Sequence, residues 1–250
     1  MQFDLIRVVL VETTHPGNIG ATARAMKTMG LSRLYLVSPQ CILDRRAHEM
    51  AAGADDVLQQ AVVTDSLAAA LSGTQMVFGT SARARDLALP GLTPAQVATL
   101  MVEKFDDQPI ALVFGREHAG LTNDELMHCQ YHVHIPTNPA FSSLNLAQAV
   151  QIMVYEIRMR ALSPEPHTRN RPQPLATADD LQHFYDHLSR VLLAIDFLKP
   201  DNPGRVEHRL RRLFNRTQLE AMELGLLRGI LTQVERGLNR MADQIPQVPS

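Results

Sequence analysis

The side chains able to do chemistry fall in short polar stretches, each following an apolar run. They are Asn18 and Arg24; Thr80, Ser81, Arg83 and Arg85; Arg116, Glu117 and Asn123; and Ser142, Ser143 and Asn145. Amides, hydroxyls, one carboxylate and several guanidinium groups suit the positioning of a neutral or cationic ligand beside a phosphate-bearing one better than they suit hydrolysis. Gly115 and Gly120 have the spacing that opens a phosphate-binding P-loop, but Leu121 and Thr122 stand where Lys and Ser/Thr are needed. Gly17 and Gly20 do not complete the glycine fingerprint of a dinucleotide site. His128, Cys129, His132 and His134 crowd one stretch, yet no second ligand pair at finger-like spacing exists, so no metal site is expected.

These residues can meet only if the apolar runs before them lie side by side. IRVVLVE, RLYLV, TQMVFGT, IALVFG and YHVHI are β-branched and leucine-rich runs of the kind buried on both faces of a parallel sheet. Helical stretches separate them: ATARAMKTMG ending at Gly30, a segment around residues 46–52, DSLAAALSG, and TPAQVATLMVEKF with Thr93 as N-cap and Pro94 in the first turn. Alternating strands and helices with short connections give an α/β fold, a mainly parallel sheet flanked by helices. Ligands of such sheets bind beyond the carboxyl ends of the strands. The loops at 13–18, 79–85, 115–123 and 136–143 all follow strands, which places the polar stretches on one edge.

Residues 135–150, IPTNPAFSSLNLAQAV, organise that edge. A strand end passes through a loop stiffened by Pro136 and Pro139 into a helix starting at about Leu144, with Asn145 in its first turn. Taken alone, the stretch also reads as an ordinary Asn-Pro turn and a capped helix. The helix carries Leu146, Val150, Met153 and Ile157 on one face and Ile152, Val154 and Met159 elsewhere, so it is either deeply buried or covered by another subunit.

Residues 162–178 shift to a Pro-rich linker, and 179–250 form a small helical extension, separating them from a domain at 1–161. Leu181, Phe184, Tyr185, Leu188, Leu192 and Ile195 mark one face of its first helix. Between residues 199 and 216, six basic residues against Asp201 and Glu207 leave a local net charge of 6 − 2 = +4, which reads either as a solvated helix face or as phosphate contact. The overall formal charge of −2 predicts no polyanion partner, so nucleic-acid contact must come from such local patches. Cys41 and Cys129 have no CxxC pairing and read as reduced thiols. With no signal-like or membrane-spanning apolar run, a cytoplasmic protein without a membrane partner is expected.

ETTHPGNIGATARAMKTMG, GTSARAR, FGREHAGLTNDEL and IPTNPAFSSLNLAQAV resemble, in order and spacing, the motifs of the SpoU branch of the knotted SPOUT RNA 2′-O-methyltransferases, over about residues 5–160. The resemblance implies a trefoil knot in the carboxyl-terminal half of the α/β domain. It also implies a homodimer with the last knot helix at the interface, and S-adenosyl-L-methionine in the knot loops. Carried over, Thr80, Ser81, Ala82, Gly115, Ile135, Ser142, Ser143 and Leu144 bind that cofactor, largely through backbone groups. Arg24 is implied as the catalytic residue, with Asn18, Glu117, Ser143 and Asn145 as its partners. A guanidinium is a permanent cation, so clamping a phosphate next to the reacting hydroxyl is an easier role for Arg24 than acting as a base. Arg83, Arg85, Arg116, Arg205, Arg209, Arg211 and Arg212 are expected to contact RNA.

With the methyltransferase domain first and a helical extension after it, the resemblance points to members acting on a cytidine or uridine ribose of the tRNA anticodon loop, at position 32. Two other readings stay open: the same chemistry on ribosomal RNA, and a non-catalytic RNA-binding module that retains the fold.

Overall fold

A computed structural model describes residues 1–81, 91–163, 174–199 and 204–243. The chain divides into two compact units, Met1–Pro172 and Gln173–Ser250. Expectations for Ala82, Arg83, Arg85 and most of the Pro-rich linker fall outside the described residues.

Seven strands of the first unit form one sheet: β1 (Ile6–Val11), β2 (Arg33–Val37), β3 (Val62–Thr64), β4 (Met76–Thr80), β5 (Gly91–Leu92), β6 (Ile110–Phe114) and β7 (Tyr131–Val133). Their order is β3-β2-β1-β6-β4-β7-β5, and every pair is parallel. β4 and β6 are buried along their whole length, which is why both read as unbroken apolar runs. Phe78, Phe114, Ile6 and Leu10 are among the largest fully buried side chains, each worth roughly 1.5–3 kcal/mol on leaving water. β5 escaped the sequence reading because two residues carry no periodicity.

Helices flank the sheet: α1 (Pro16–Thr28), α2 (Arg45–Ala51), α3 (Asp55–Gln59), α4 (Leu67–Leu71), α5 (Pro94–Lys104), α6 (Asn123–Leu126) and α7 (Leu146–Leu162). Thr93 caps α5 in a full capping box, with Pro94 in the first turn as expected. Two starts differ from expectation. α1 begins at Pro16 and not at Ala21, because the proline's fixed φ and missing N–H suit the first helical position and the His15 ring caps it. α7 begins at Leu146, leaving Asn145 outside as the cap: its Oδ1 accepts from the Ala147 N–H at 2.9 Å and the Gln148 N–H at 3.4 Å. α7 buries Leu146, Val150, Met153 and Ile157 as expected, and Val154 with them.

The second unit contains α8 (Ala178–Ala194), α9 (Gly204–Thr217) and α10 (Ala221–Asp243). Leu181, Phe184, Tyr185 and Val191 pack with Leu224 and Leu231, and Phe184 meets Phe214 edge-on at 4.9 Å. Ile195, expected on the same face, is 44% exposed because α8 has already ended at Ala194. Among the described residues no helix is long and apolar enough to cross a membrane.

Candidate active site

The carboxyl ends of β1, β6, β4 and β7 are neighbours in the sheet, so the loops leaving them converge. Between them lies a cavity of about 240 Å³. Its lining includes Thr80, Ser81, Gly115, Ile135, Ser142, Ser143 and Leu144, which are all the described residues expected to bind the cofactor. Phe114, Val133 and Leu146 add apolar wall. Thr80 is oriented by donating its hydroxyl to the Val113 carbonyl at 3.0 Å, while Ser142 and Ser143 are exposed on the loop above.

The loop after β6 closes one side. Arg116 and Gly120 pair as a tight antiparallel bridge, which folds the chain back over Gly115. A Cβ at Gly115 would lie 2.1 Å from the Gly120 carbonyl carbon and 2.3 Å from the Leu121 nitrogen, both backbone atoms that cannot turn aside. Gly115→Ala is therefore expected to destabilise this unit by at least about 1–3 kcal/mol, read as a melting transition lowered by several degrees. An unchanged transition would show that the loop can open without cost.

A second hollow beside α1 is lined by Asn18, Arg24 and Asn145, together with His15, Arg46 and Gln148. A chain of amide hydrogen bonds joins the two hollows. Asn145 Nδ2 donates to Asn18 Oδ1 at 3.0 Å, and Asn18 Nδ2 donates to Glu117 Oε1 at 3.0 Å. Glu117, which lines the first cavity, also accepts from the Thr14 N–H, the Thr14 hydroxyl and the His15 N–H. Burial pushes the Glu117 carboxyl up, but the Asn18 amide, its own backbone N–H and the Thr14 donors outweigh that and hold it below the usual carboxylate range. Glu117 is thus an ionised anchor for the β1–α1 turn and no free base. Asn18, Glu117 and Asn145 are brought together; Ser143 lies on the cavity side and Arg24 on the hollow side.

The basic residues divide sharply. Arg24 is exposed, and no carboxylate pairs with it among the described residues. Arg116, expected at RNA, is instead spent on two carboxylates. Its Nε and Nη2 meet Glu12 at 2.8 and 2.7 Å, and its Nη1 and Nη2 reach both oxygens of Glu125 at 3.0 Å. Arg211, half-buried, stacks over the Tyr185 ring at 4.5 Å and donates to Gln182 Oε1 at 3.0 Å, inside the second unit, with no carboxylate on it among the described residues. Arg209 is exposed and Arg212 half-buried on α9, and the side chain of Arg205 lies outside the described residues.

The sequence reading missed His15, Arg46, Glu12 and Glu125. Only Glu125 had a local signal, the capping box Thr122-x-x-Glu125 at the start of α6.

Residues 5–155 match the SpoU rRNA Methylase family, and residues 179–244 match the tRNA methyltransferase TrmJ, C-terminal domain. The tRNA (cytidine/uridine-2'-O-)-methyltransferase TrmJ of Pectobacterium atrosepticum is 52% identical over 237 residues, which cover 93% of this chain and 98% of that protein. Its namesake from Klebsiella pneumoniae is 50% identical over 235 residues, covering 92% and 96%. The crystal structure of TrmJ from Z. mobilis ZM4 aligns with a TM-score of 0.81 at 33% identity, covering 92% of this chain and 98% of that one.

Proposed function

This chain belongs to the SpoU methylase family, and on that premise we propose that it methylates the ribose 2′-OH of a cytidine or uridine in tRNA, with S-adenosyl-L-methionine as donor. The finer target, position 32 of the anticodon loop, is part of the same proposal. The observation that carries it is the pairing of two hollows: an apolar cavity with polar rims at the strand ends, and beside it an exposed cation with no carboxylate partner among the described residues, linked by the Asn145–Asn18–Glu117 chain.

Ile135, Leu144, Phe114 and Val133 offer the apolar walls that an adenosine needs, and Ser142, Ser143 and the backbone around Gly115 offer the few polar groups that orient one. Bound there, the sulfonium supplies an electrophilic methyl group whose transfer needs no metal. The protein's own part would be to orient the ribose hydroxyl and to provide for its proton. Arg24 would clamp the adjoining phosphate and relay the proton through it, while Asn18 and Asn145 fix the wall between donor and acceptor. Glu117 keeps Asn18 in place.

In the same reading the protein is a cytoplasmic homodimer. Tyr155, Met159 and Leu162 on α7 are 47%, 41% and 62% exposed, an apolar surface that a second copy would cover. The trefoil knot belongs to the same reading, and the order β6-β4-β7 is compatible with it.

Although the family is named for rRNA, the match of residues 179–244 to the TrmJ C-terminal domain favours tRNA. Labelled methyl transfer to total tRNA and to ribosomal RNA fragments, with nucleoside analysis, tests this; transfer to the fragments alone would overturn it. Residues 1–161 would hold the chemistry and the helical extension the wider tRNA contact, through Arg209 and Arg212 on α9. Removing residues 164–250, which leaves α7 whole, is then expected to abolish tRNA methylation while cofactor binding persists. Full activity of the shortened chain would refute that division of labour.

A further inference from the structure

α1 and α2 approach at backbone distance. A Cβ added at Gly20 would lie 2.0 Å from the Ala47 carbonyl oxygen, so a side chain at this position would force the helices apart. The closeness brings Arg46, in the first turn of α2, beside His15, the cap of α1, with Nη1 and Nε2 3.5 Å apart. His15 has already used its other nitrogen: Nδ1 accepts the Gly17 N–H at 3.1 Å. A neutral imidazole whose Nδ1 accepts carries its proton on Nε2. The contact with Arg46 is therefore donor against donor.

Both side chains are exposed, so the two donors stand open to solvent and to any acceptor that enters the hollow. Among the described residues no acidic one lines the hollow, which also contains Arg24; the nearest carboxylates, Glu117 and Asp44, are engaged by the His15 and Arg46 backbone N–H groups. Of the amides that line it, Asn145 Oδ1 caps α7 and Asn18 Oδ1 accepts from Asn145, which leaves only the neutral side chains of Gln148 and Gln151. Three donor side chains around a concave surface without an acid are the composition of an anion site, and the anion with enough oxygens to reach them is a phosphate.

We propose that His15 Nε2–H and Arg46 hold a phosphodiester of the RNA chain next to the ribose served by Arg24, making α2 a positioning element for the substrate. The identity of the polyanion rests on the methyltransferase reading above; the phosphate site itself rests on this geometry. Arg45 supplies an internal control. It is the adjacent residue on α2, its side chain is 92% exposed, and it is paired with Glu49 at 2.7 Å.

The test measures binding of labelled tRNA across a salt series, together with steady-state methyl transfer, for wild type, Arg46→Gln, His15→Asn and Arg45→Gln. Asn keeps an acceptor for the α1 cap but loses the Nε2 donor, so the fold is retained. Arg46→Gln and His15→Asn are each expected to raise KM for tRNA about tenfold with kcat within about twofold, and Arg46→Gln to flatten the log–log salt slope by about 0.7–0.9, the amount for one phosphate contact. Arg45→Gln should match wild type. If Arg46→Gln behaves like Arg45→Gln while wild type methylates tRNA, the phosphate site falls and the function stands. If wild type binds tRNA without methylating it, the function falls and the salt slopes still judge the site. Absence of tRNA binding by wild type overturns both.

Discussion

Arg24→Ala is expected to lower methyl transfer to tRNA by at least about 10²–10³-fold, the scale on which losing one preorganised charge-stabilising donor acts, while leaving the fold and cofactor binding intact. Arg24 projects from α1 between the buried Ala23 and Ala25, so its own side chain contributes to solvent-side chemistry and not to the core. Alanine is the best helix former, and an exposed substitution of this kind shifts stability by less than about 0.5 kcal/mol. A guanidinium offers a planar fork to a phosphate and a lysine only a point charge. Arg24→Lys should therefore recover RNA affinity more fully than kcat. The measurement is single-turnover transfer of labelled methyl with saturating tRNA, beside calorimetric cofactor titration. Undiminished transfer by Arg24→Ala would remove this residue from the chemistry; loss of cofactor binding would assign it to the other hollow.

How far such a site can be read from sequence depends on the separation of its parts. The strands were legible because burial on both faces leaves a continuous apolar run, and the parallel-sheet rule then placed the loops after β1, β4, β6 and β7 on one edge. The start of α1 was not, since His-Pro-Gly-Asn suits a turn and a helix entry equally. Packing of Gly20 on the Ala47 backbone goes with the second choice, and no local pattern encodes it. Arg116 reads as an exposed loop arginine because one partner, Glu12, is 104 positions away. Arg211 has the same history, its partner Gln182 lying 29 positions back. Charge counting along the chain sees cations; only the fold reveals that Arg116 is already neutralised and that Arg211, still charged, is held by an amide and a ring.

That distinction predicts the second large effect. Arg116→Met keeps the length of the side chain but strands two carboxylates, and it is expected to destabilise the α/β unit by about 2–4 kcal/mol, somewhat under the 3–5 of a fully buried pair because Glu12 is partly solvated. For a domain of this size that corresponds to a melting transition lowered by about 4–16 °C. Glu12 makes the loss sharper. It follows β1 directly at φ +48, a left-handed conformation that costs a non-glycine residue roughly 1–2 kcal/mol, and the Arg116 fork helps hold it there. The pH dependence has a definite sign. Burial pushes the Glu125 carboxyl up, but the Arg116 fork and the Thr122 N–H prevail and keep it below its ordinary value of 4.5. A carboxyl depressed on folding stabilises at pH above its unfolded value and loses that contribution as pH falls through the folded one. Wild type should therefore lose its advantage over Arg116→Met below about pH 4.5 and keep it in full at neutral pH. Adding Glu125→Gln to Arg116→Met should restore part of the stability, since glutamine still completes the capping box with Thr122. Because Arg116 begins the bridge that covers Gly115, weaker binding of S-adenosyl-L-methionine should accompany the loss of stability. A difference in melting temperature that stays constant from pH 7 to pH 4 would mean that the two carboxylates are solvated and that the fork is ornamental to the fold.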